Sequence, residues 1–148
     1  MPMKPAPSAN YATPDEAEHA FYEALEHADL AMLMGVWAED EEIACIHPGG
    51  TRLVGHDAVK QAWTEILGNG PVSIRPTRRH TLQSLMGAVH TLVEQVVVDT
   101  SEGPQVVNCY TTNVFHKGAT GWHMVLHHAS QAPDDIDADE HDVPDMLH

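Results

Sequence analysis

The spacing of apolar residues changes near Val72, and this change limits the folds that the chain can adopt. Beyond this residue apolar and polar side chains alternate, which is the pattern of half-buried β-strands. The alternation predicts four strands, at residues 72–86, 88–99, 105–116 and 121–131. The breaks between them are short and polar, so neighbouring strands are expected to pair in the antiparallel direction.

Helical spacing dominates the chain before Val72. Thr13 and Asp29 are the predicted N-caps of two helices, and a third helix is expected to follow Gly55. Two short strands are predicted at residues 43–47 and 52–54. Helices first and a long meander last are typical of the α+β class. Because a long sheet twists and curls, helices on its concave side are expected to leave a cavity.

The composition indicates one domain with an acidic surface. The chain has 148 residues, is 43% hydrophobic and carries a formal net charge of −15. This size allows a single core without disulfides or metals. The acidic residues are concentrated in residues 15–42 and 133–148, where Lys and Arg are absent. Such a charge repels phosphate and anionic lipid, so neither a nucleic acid nor a membrane is expected as a partner.

The sequence also predicts boundaries and a compartment. We expect a flexible segment at residues 1–12, a domain at residues 13–131, and a disordered acidic tail at residues 132–148. No apolar run approaches the roughly 18 residues of a membrane span, and the first residues lack the apolar core of a secretion signal. A cytoplasmic location is therefore expected. Cys45 and Cys109 lie in apolar runs, so both should be buried free thiols.

Three segments resemble the nuclear transport factor 2-like superfamily, particularly its SnoaL-like members. VWAEDEEIACIHPGG is similar to the passage from the second helix to the first strand, GHDAVKQAWTEIL to the third helix, and TNVFHKGATGWHMVLHHAS to the last two strands. The last segment also resembles the calcium/calmodulin-dependent kinase II association domain. The resemblance covers residues 13–130. It implies a cystatin-like α+β cone, with three N-terminal helices on a strongly curved, mostly antiparallel sheet that encloses a pocket.

The resemblance also points to a candidate catalytic residue. Ketosteroid-isomerase members of the superfamily have an Asp-Pro-x-Gly turn, and its Asp is the base. The corresponding turn here begins with His47. A neutral imidazole accepts protons near neutral pH, so His47 is a candidate base of a different type. The tyrosine and protonated Asp of the isomerases' oxyanion hole have no clear counterpart, with Tyr110 as a candidate replacement.

Strand alternation assigns the faces of the last strand. The mostly apolar face is expected to point toward the helices and carries Trp122, Met124, Leu126, His128 and Ser130. His127 would then lie on the outer face, which commonly forms a dimer interface in this superfamily. Asn113 stands where the kinase association domain has an arginine that faces the pocket, so it is also expected to point inward.

These assignments define a predicted site. The catalytic pair is His47 and His128, and the ligand-binding residues are Trp37, Trp63, Tyr110, Asn113, Met124 and Ser130. The expected ligand is a small apolar or carbonyl-bearing molecule, and the expected reaction is proton abstraction beside a carbonyl by an isomerase, cyclase or dehydratase. The alternative is a non-catalytic ligand-binding or dimerisation module in which both histidines are structural.

No cofactor is expected, and the histidine spacing fits no metal-binding motif. A homodimer through the outer face of the sheet is the expected assembly.

Overall fold

The computed structural model of the protein describes residues 10–133 and Ile136. Its helices are α1 (Pro14–Glu26), α2 (Leu30–Val36) and α3 (His56–Gly68). Its strands are β1 (Ala44–Ile46), β2 (Arg52–Val54), β3 (Ile74–Gln83), β4 (Gly87–Thr100), β5 (Gly103–Gly118) and β6 (Gly121–Gln131). The predicted α+β class is confirmed, and the elements agree with the predicted ones within a few residues.

The six strands form one sheet in the order β2-β1-β6-β5-β4-β3. β1 runs parallel to β6, and the other neighbouring pairs are antiparallel. Pairing of β1 with β6 brings the turn after His47 beside the last strand, although the two are far apart in sequence. In the strand register Ile46 pairs with His128.

Side-chain caps fix where the first two helices begin. The Thr13 hydroxyl accepts a hydrogen bond from the backbone N–H of Glu16 at 3.1 Å. The Asp29 carboxylate accepts one from the backbone N–H of Met32 at 3.0 Å. Each bond satisfies a backbone donor that has no partner within the helix, which is why the caps could be predicted from the sequence.

A β-bulge interrupts the alternation of β6. Val114 of β5 pairs with Leu126, but the next residue, Phe115, pairs with Met124. Val125 is therefore an extra residue on β6 with no partner of its own. One extra residue moves every following side chain of the strand to the opposite face.

The bulge exchanges the faces of the two adjacent histidines. His127 and Ala129 are buried, whereas His128 and Ser130 are exposed on the outer face. Tyr110 pairs with Ser130 and is also exposed on that side. The predictions that His128 and Ser130 point inward and that His127 points outward are therefore wrong.

The main core fills the space between the helices and the inner face of the sheet. Trp37 and Met124 have no exposed surface and are joined by an isolated bridge between their backbones. Phe21, Leu25 and Phe115 are likewise fully buried. Trp37 and Met124 thus belong to the closed part of the core.

A smaller apolar cluster lies beyond the end of β6. Ile136 is 1% exposed and packs with Val93 and Ala132. Ile136, which lies in the segment predicted as an acidic tail, is thus buried. The remainder of the predicted tail, at residues 134–135 and 137–148, lies outside the described residues, as do residues 1–9 of the predicted flexible segment. Among the described helices, none has the length and apolarity that a membrane crossing requires.

Candidate functional site

An interior cavity of about 250 Å³ lies between the inner face of the sheet, α3 and the turn after β1. Most of its wall is apolar and is formed by Trp63, Ile66, Val72, Ile74, Val96, Val98 and Val107. Four titratable side chains share this wall, namely His47, Glu94, Cys109 and His127. Two larger and more open depressions lie between α1 and β3 and on the outer face of the sheet. Of these three hollows, the interior cavity is the one that combines an apolar wall with buried titratable groups.

His47 lies at the end of β1 and packs against the third helix. Its ring meets the Trp63 ring edge-on, with 4.7 Å between the centroids. Its Nε2 lies 3.6 Å from the Cys45 sulfur, and its ring centroid is 6.4 Å from that of His127. Burial, with a smaller contribution from His127, lowers the pKa of His47 to about 4. The imidazole is therefore neutral at neutral pH.

His127 is the second imidazole of the cavity wall. It is 3% exposed, its ring lies 5.0 Å from that of Phe21, and its Nδ1 lies 2.6 Å from the Asn113 Oδ1. Burial lowers the pKa of His127 to about 4, and the charge of His128 adds to this effect. Like His47, His127 is uncharged at neutral pH.

Glu94 is the acid of the cavity. It is 2% exposed, and the Tyr22 hydroxyl donates a hydrogen bond of 2.7 Å to its Oε2. Burial raises the pKa of Glu94 to about 7; the hydrogen bond from Tyr22 opposes this rise and the charge of Glu18 adds to it. Near neutral pH both protonation states are populated, which is the property required of a general acid–base group.

A second buried carboxylate, Glu18, lies behind the cavity wall. Its Oε2 accepts hydrogen bonds from Asn113 Nδ2 at 3.0 Å and from His90 Nδ1 at 2.9 Å. Its Oε1 accepts one from Arg79 at 3.0 Å. Burial alone would raise the pKa of Glu18, but these contacts outweigh it and lower the pKa below its usual value. Glu18 is therefore ionised at neutral pH.

Asn113 connects this carboxylate with the cavity. Its Nδ2 donates to both Glu18 Oε2 and the Tyr22 hydroxyl, the latter at 3.1 Å. Its Oδ1 faces His127. The predicted inward orientation of Asn113 is confirmed, and its direct contacts are with protein groups of the network.

The structure brings together only part of the predicted site. His47 and Trp63 line the cavity, with Asn113 behind its wall. Trp37 and Met124 are in the closed core. His128, Tyr110 and Ser130 line the depression on the outer face. The predicted partner of His47, His128, is thus on the wrong side of the sheet, and His127 takes its place.

Sequence reasoning missed the acids of the network and their partners, Glu18, Tyr22, His90 and Glu94. A signal for the two acids was present. Glu18 interrupts the apolar face of the first helix, one turn before Phe21 and Tyr22. Glu94 lies within the apolar run LVEQVVV of β4, among the residues whose side chains point inward. An acid on an otherwise apolar face is rarely buried without a partner.

The two cysteines are buried free thiols, as predicted. Burial raises the pKa of Cys45 to about 12 and also raises that of Cys109, which lines the cavity. Neither thiol is activated as a nucleophile. Within the described part of the chain, no group of three or more His, Cys, Asp or Glu side chains is arranged to hold a metal ion.

The fold is that of a cystatin-like, nuclear transport factor 2-like α+β domain, here with an interior cavity. More specifically, the chain belongs to the SnoaL-like domain family, whose model matches residues 15–135. The resemblance found in the sequence is thereby confirmed. Among curated proteins, none matches this chain significantly.

Solved structures agree with this assignment. A protein of Thiobacillus denitrificans, provisionally described as a calcium/calmodulin-dependent protein kinase type II association domain, is 34% identical, with coverage of 84% of this chain and 98% of the other and a TM-score of 0.74. A protein of the NTF2-like family from Streptomyces avermitilis, provisionally described as a dehydratase, is 26% identical, with coverage of 81% and 99% and a TM-score of 0.71. A cystatin-like protein of Caulobacter vibrioides, at 12% identity, 84% and 91% coverage and a TM-score of 0.72, shares the fold.

Proposed function

We propose that this protein binds a small, mostly apolar carbonyl compound and transfers a proton at the carbon beside the carbonyl. The observation that carries the proposal is Glu94, a buried acid with a pKa of about 7 in the wall of an apolar cavity. Two neutral imidazoles, His47 and His127, line the same cavity. An apolar pocket with a few polar groups and an acid of perturbed pKa is typical of an active site.

Glu94 is the proposed base because its carboxylate is the most basic group of the cavity at neutral pH. The pKa values of about 4 make both imidazoles weaker bases. The Tyr22 hydroxyl donates to Oε2, and the proposal assigns Oε1 to the ligand. Oε1 takes the proton from the carbon beside the carbonyl, and the electrons of the C–H bond form an enolate. The protonated Glu94 then returns the proton to another carbon in an isomerisation, or to a departing hydroxyl in a dehydration.

His47 is the proposed donor to the developing enolate oxygen. The Cys45 thiol is protonated at neutral pH and lies within hydrogen-bonding distance of His47 Nε2. If the thiol donates to Nε2, the neutral ring carries its proton on Nδ1. This N–H group can stabilise the negative charge that forms on the carbonyl oxygen. In this proposal Glu94 therefore has the role of the base, which the resemblance had suggested for His47.

The test uses proton exchange, because the natural ligand is unknown. A panel of cyclic enones and β-hydroxy ketones is incubated with the protein in deuterium oxide, and deuterium incorporation beside the carbonyl is followed by NMR. We expect the wild type to accelerate exchange for at least one compound and Glu94→Gln to slow it about 100-fold or more. His128→Gln, on the outer face, is the matched control and should exchange like the wild type. Absence of exchange across the panel, or equal rates in Glu94→Gln, contradicts the proposal.

A second proposed function is homodimerisation through the outer face of the sheet. Val97 and Val106 pair across β4 and β5 on that face, and Val106 is 59% exposed. Tyr110 extends this exposed apolar patch. The 34% identity to a protein described as an association domain supports the same proposal. Burial of exposed apolar surface is the driving force for such an interface.

Sedimentation velocity tests the dimer. Val106→Glu places a charge in the patch, whereas Leu85→Glu alters an equally apolar, 82% exposed residue at the turn before β4. We expect a dimer for the wild type and for Leu85→Glu, and a monomer for Val106→Glu. A monomeric wild type, or a Val106→Glu variant that remains dimeric, would rule out this interface.

The proposed functional unit is residues 13–131, and the proposed compartment is the cytoplasm. The family match over residues 15–135 covers most of this unit and extends four residues beyond its end. The two free thiols are consistent with a reducing compartment.

A further inference from the structure

The buried hydrogen-bond network determines which role His127 has toward a ligand. We propose that Glu18, acting through Asn113, holds His127 in the tautomer with a proton on Nδ1 and a lone pair on Nε2, so that the cavity selects carbonyl compounds that also carry a hydroxyl or N–H donor. The ligand class rests on the proposed function, whereas the tautomer can be tested without any activity.

The first step is the charge of Glu18. Three donors surround this carboxylate: Asn113 Nδ2 and His90 Nδ1 at Oε2, and Arg79 at Oε1. The side chain is 3% exposed, so these contacts replace solvent. An ionised carboxylate only accepts hydrogen bonds. Each neighbour of Glu18 must therefore present a proton to it.

The second step is the orientation of the Asn113 amide. The group that faces Glu18 must be Nδ2, because the reversed amide would place two acceptors together without a proton. The second neighbour of Nδ2 is the Tyr22 hydroxyl, which donates its own proton to Glu94 and therefore acts as an acceptor toward Asn113. Both neighbours thus fix Nδ2 in this position. Oδ1 is left to face His127 Nδ1, at 2.6 Å.

The third step is the tautomer of His127. The amide oxygen can only accept, so a hydrogen bond at this distance requires the proton on His127 Nδ1. The neutral ring has a single N–H proton, and Nε2 therefore has a lone pair. Since Nδ1 is used by Asn113 and the ring lines the cavity, Nε2 is the nitrogen available to a ligand. In this scheme His127 is a specificity residue, and Glu18 and Asn113 position it.

The consequence is a preference among carbonyl compounds. A ligand with only a carbonyl leaves the Nε2 acceptor without a donor inside an apolar wall, which is unfavourable. A ligand with a hydroxyl at the right distance satisfies it. We expect the hydroxylated member of a matched pair to bind roughly 10-fold or more tightly. The substrate class is therefore hydroxy-carbonyl compounds with an apolar body.

The first test reads the tautomer directly. Two-bond ¹H–¹⁵N correlation spectra of ¹⁵N-histidine-labelled protein distinguish the two neutral tautomers, and the spectrum of His127→Gln identifies the His127 signals among those of the twelve histidines. We expect the Nδ1–H form in the wild type. A wild-type His127 with its proton on Nε2 overturns the proposal without any variant.

Variants then test how the tautomer is set. Asn113→Leu removes the acceptor, and Glu18→Gln removes the charge that orients the amide, so both should raise the population of the Nε2–H form. Thr112→Val changes the neighbouring residue, which pairs with His128 on the outer face, and should leave the His127 spectrum unchanged. A folded Asn113→Leu variant that retains the wild-type tautomer contradicts the role of Asn113.

The second test reads the ligand class. The probes are α-tetralone and its analogue with a hydroxyl on the ring carbon opposite the carbonyl, and binding is measured by NMR line broadening. We expect the hydroxylated compound to bind roughly 10-fold more tightly to the wild type, and the preference to disappear in Asn113→Leu. Equal binding of the two compounds overturns the ligand class alone. Binding of neither contradicts both the ligand class and the proposed function, while the NMR tautomer result stands independently.

Discussion

The Tyr22 hydroxyl and the Glu94 carboxylate form a buried hydrogen bond of 2.7 Å that joins α1 to β4. This bond favours the ionised form of Glu94 in a site where burial favours the neutral form. Burial, this hydrogen bond, the Thr111 side chain and the charge of Glu18 together set the pKa of Glu94 at about 7. The proposed proton transfer in the cavity depends on this pKa.

Removal of the Tyr22 donor should change that pKa. Tyr22→Phe eliminates the hydrogen bond to Glu94, so the pKa of Glu94 should rise from its value of about 7. The loss of a buried bond should also lower the free energy of unfolding by about 1–3 kcal/mol. ¹³C NMR titration of the carboxyl group measures the pKa. Tyr110→Phe, on the outer face, is the control and should change neither quantity.

The stability of the protein should depend on pH through Glu94. Its folded-state pKa of about 7 exceeds the ordinary 4.5, so the folded state retains the proton more strongly than the unfolded state does. The contribution of Glu94 to the free energy of unfolding is fully present below pH 4.5 and is lost as the pH rises to about 7. The loss is at most about 3 kcal/mol. Glu94→Gln should remove this loss. Urea unfolding at several pH values should show the variant gaining on the wild type across this interval; a constant difference would contradict the assignment.

The two imidazoles should have the opposite effect on stability. Their folded-state pKa values of about 4 lie below the ordinary 6.5, so the unfolded state binds protons more strongly. Stability is therefore full above pH 6.5 and is lost as the pH falls to about 4. The double variant His47→Gln, His127→Gln should flatten this acid limb in urea unfolding. His19→Gln, on an exposed residue of α1, should retain the slope of the wild type.

Gly121 should tolerate no side chain. Its φ is 110°, and an added Cβ would lie 2.6 Å from the Tyr11 carbonyl oxygen, because the neighbouring Trp122 N–H donates to that oxygen. Gly121→Ala should lower the free energy of unfolding by about 2 kcal/mol or more, measured by urea unfolding. Gly118, at the other side of the same turn, has open space where a Cβ would lie, with no neighbouring atom within 4 Å. Gly118→Ala should therefore cost clearly less, and equal losses would contradict the steric explanation.

The fold could be predicted because its signals are local. Thr13 and Asp29 are N-cap residues whose side chains indicate where a helix begins, and strand alternation is visible within a few residues. The bulge at Val125 could not be predicted in this way. It depends on how β6 aligns with β5, and the apolar run Met124-Val125-Leu126 does not show which residue is the extra one.

The site was predictable only in part, for the same reason. His47 was found because it belongs to a turn that resembles a known one. Glu18 and Glu94 gain their properties from partners that lie up to 95 positions away in the chain, such as Asn113 for Glu18. A sequence shows an acid on an apolar face but not the distant donor that satisfies it. The bulge determines which face of the sheet His127 occupies. Because the bulge could not be predicted, the face of His127 could not be predicted either.

We expect the side-chain carboxyl group of Glu94 to exchange a proton near neutral pH, and ¹³C NMR titration of this group measures that exchange. The Glu94→Gln spectrum assigns the resonance. A titration midpoint near pH 7 is the predicted result. A midpoint at the ordinary value of 4.5 would show that Glu94 is permanently ionised at neutral pH, and would contradict its proposed role.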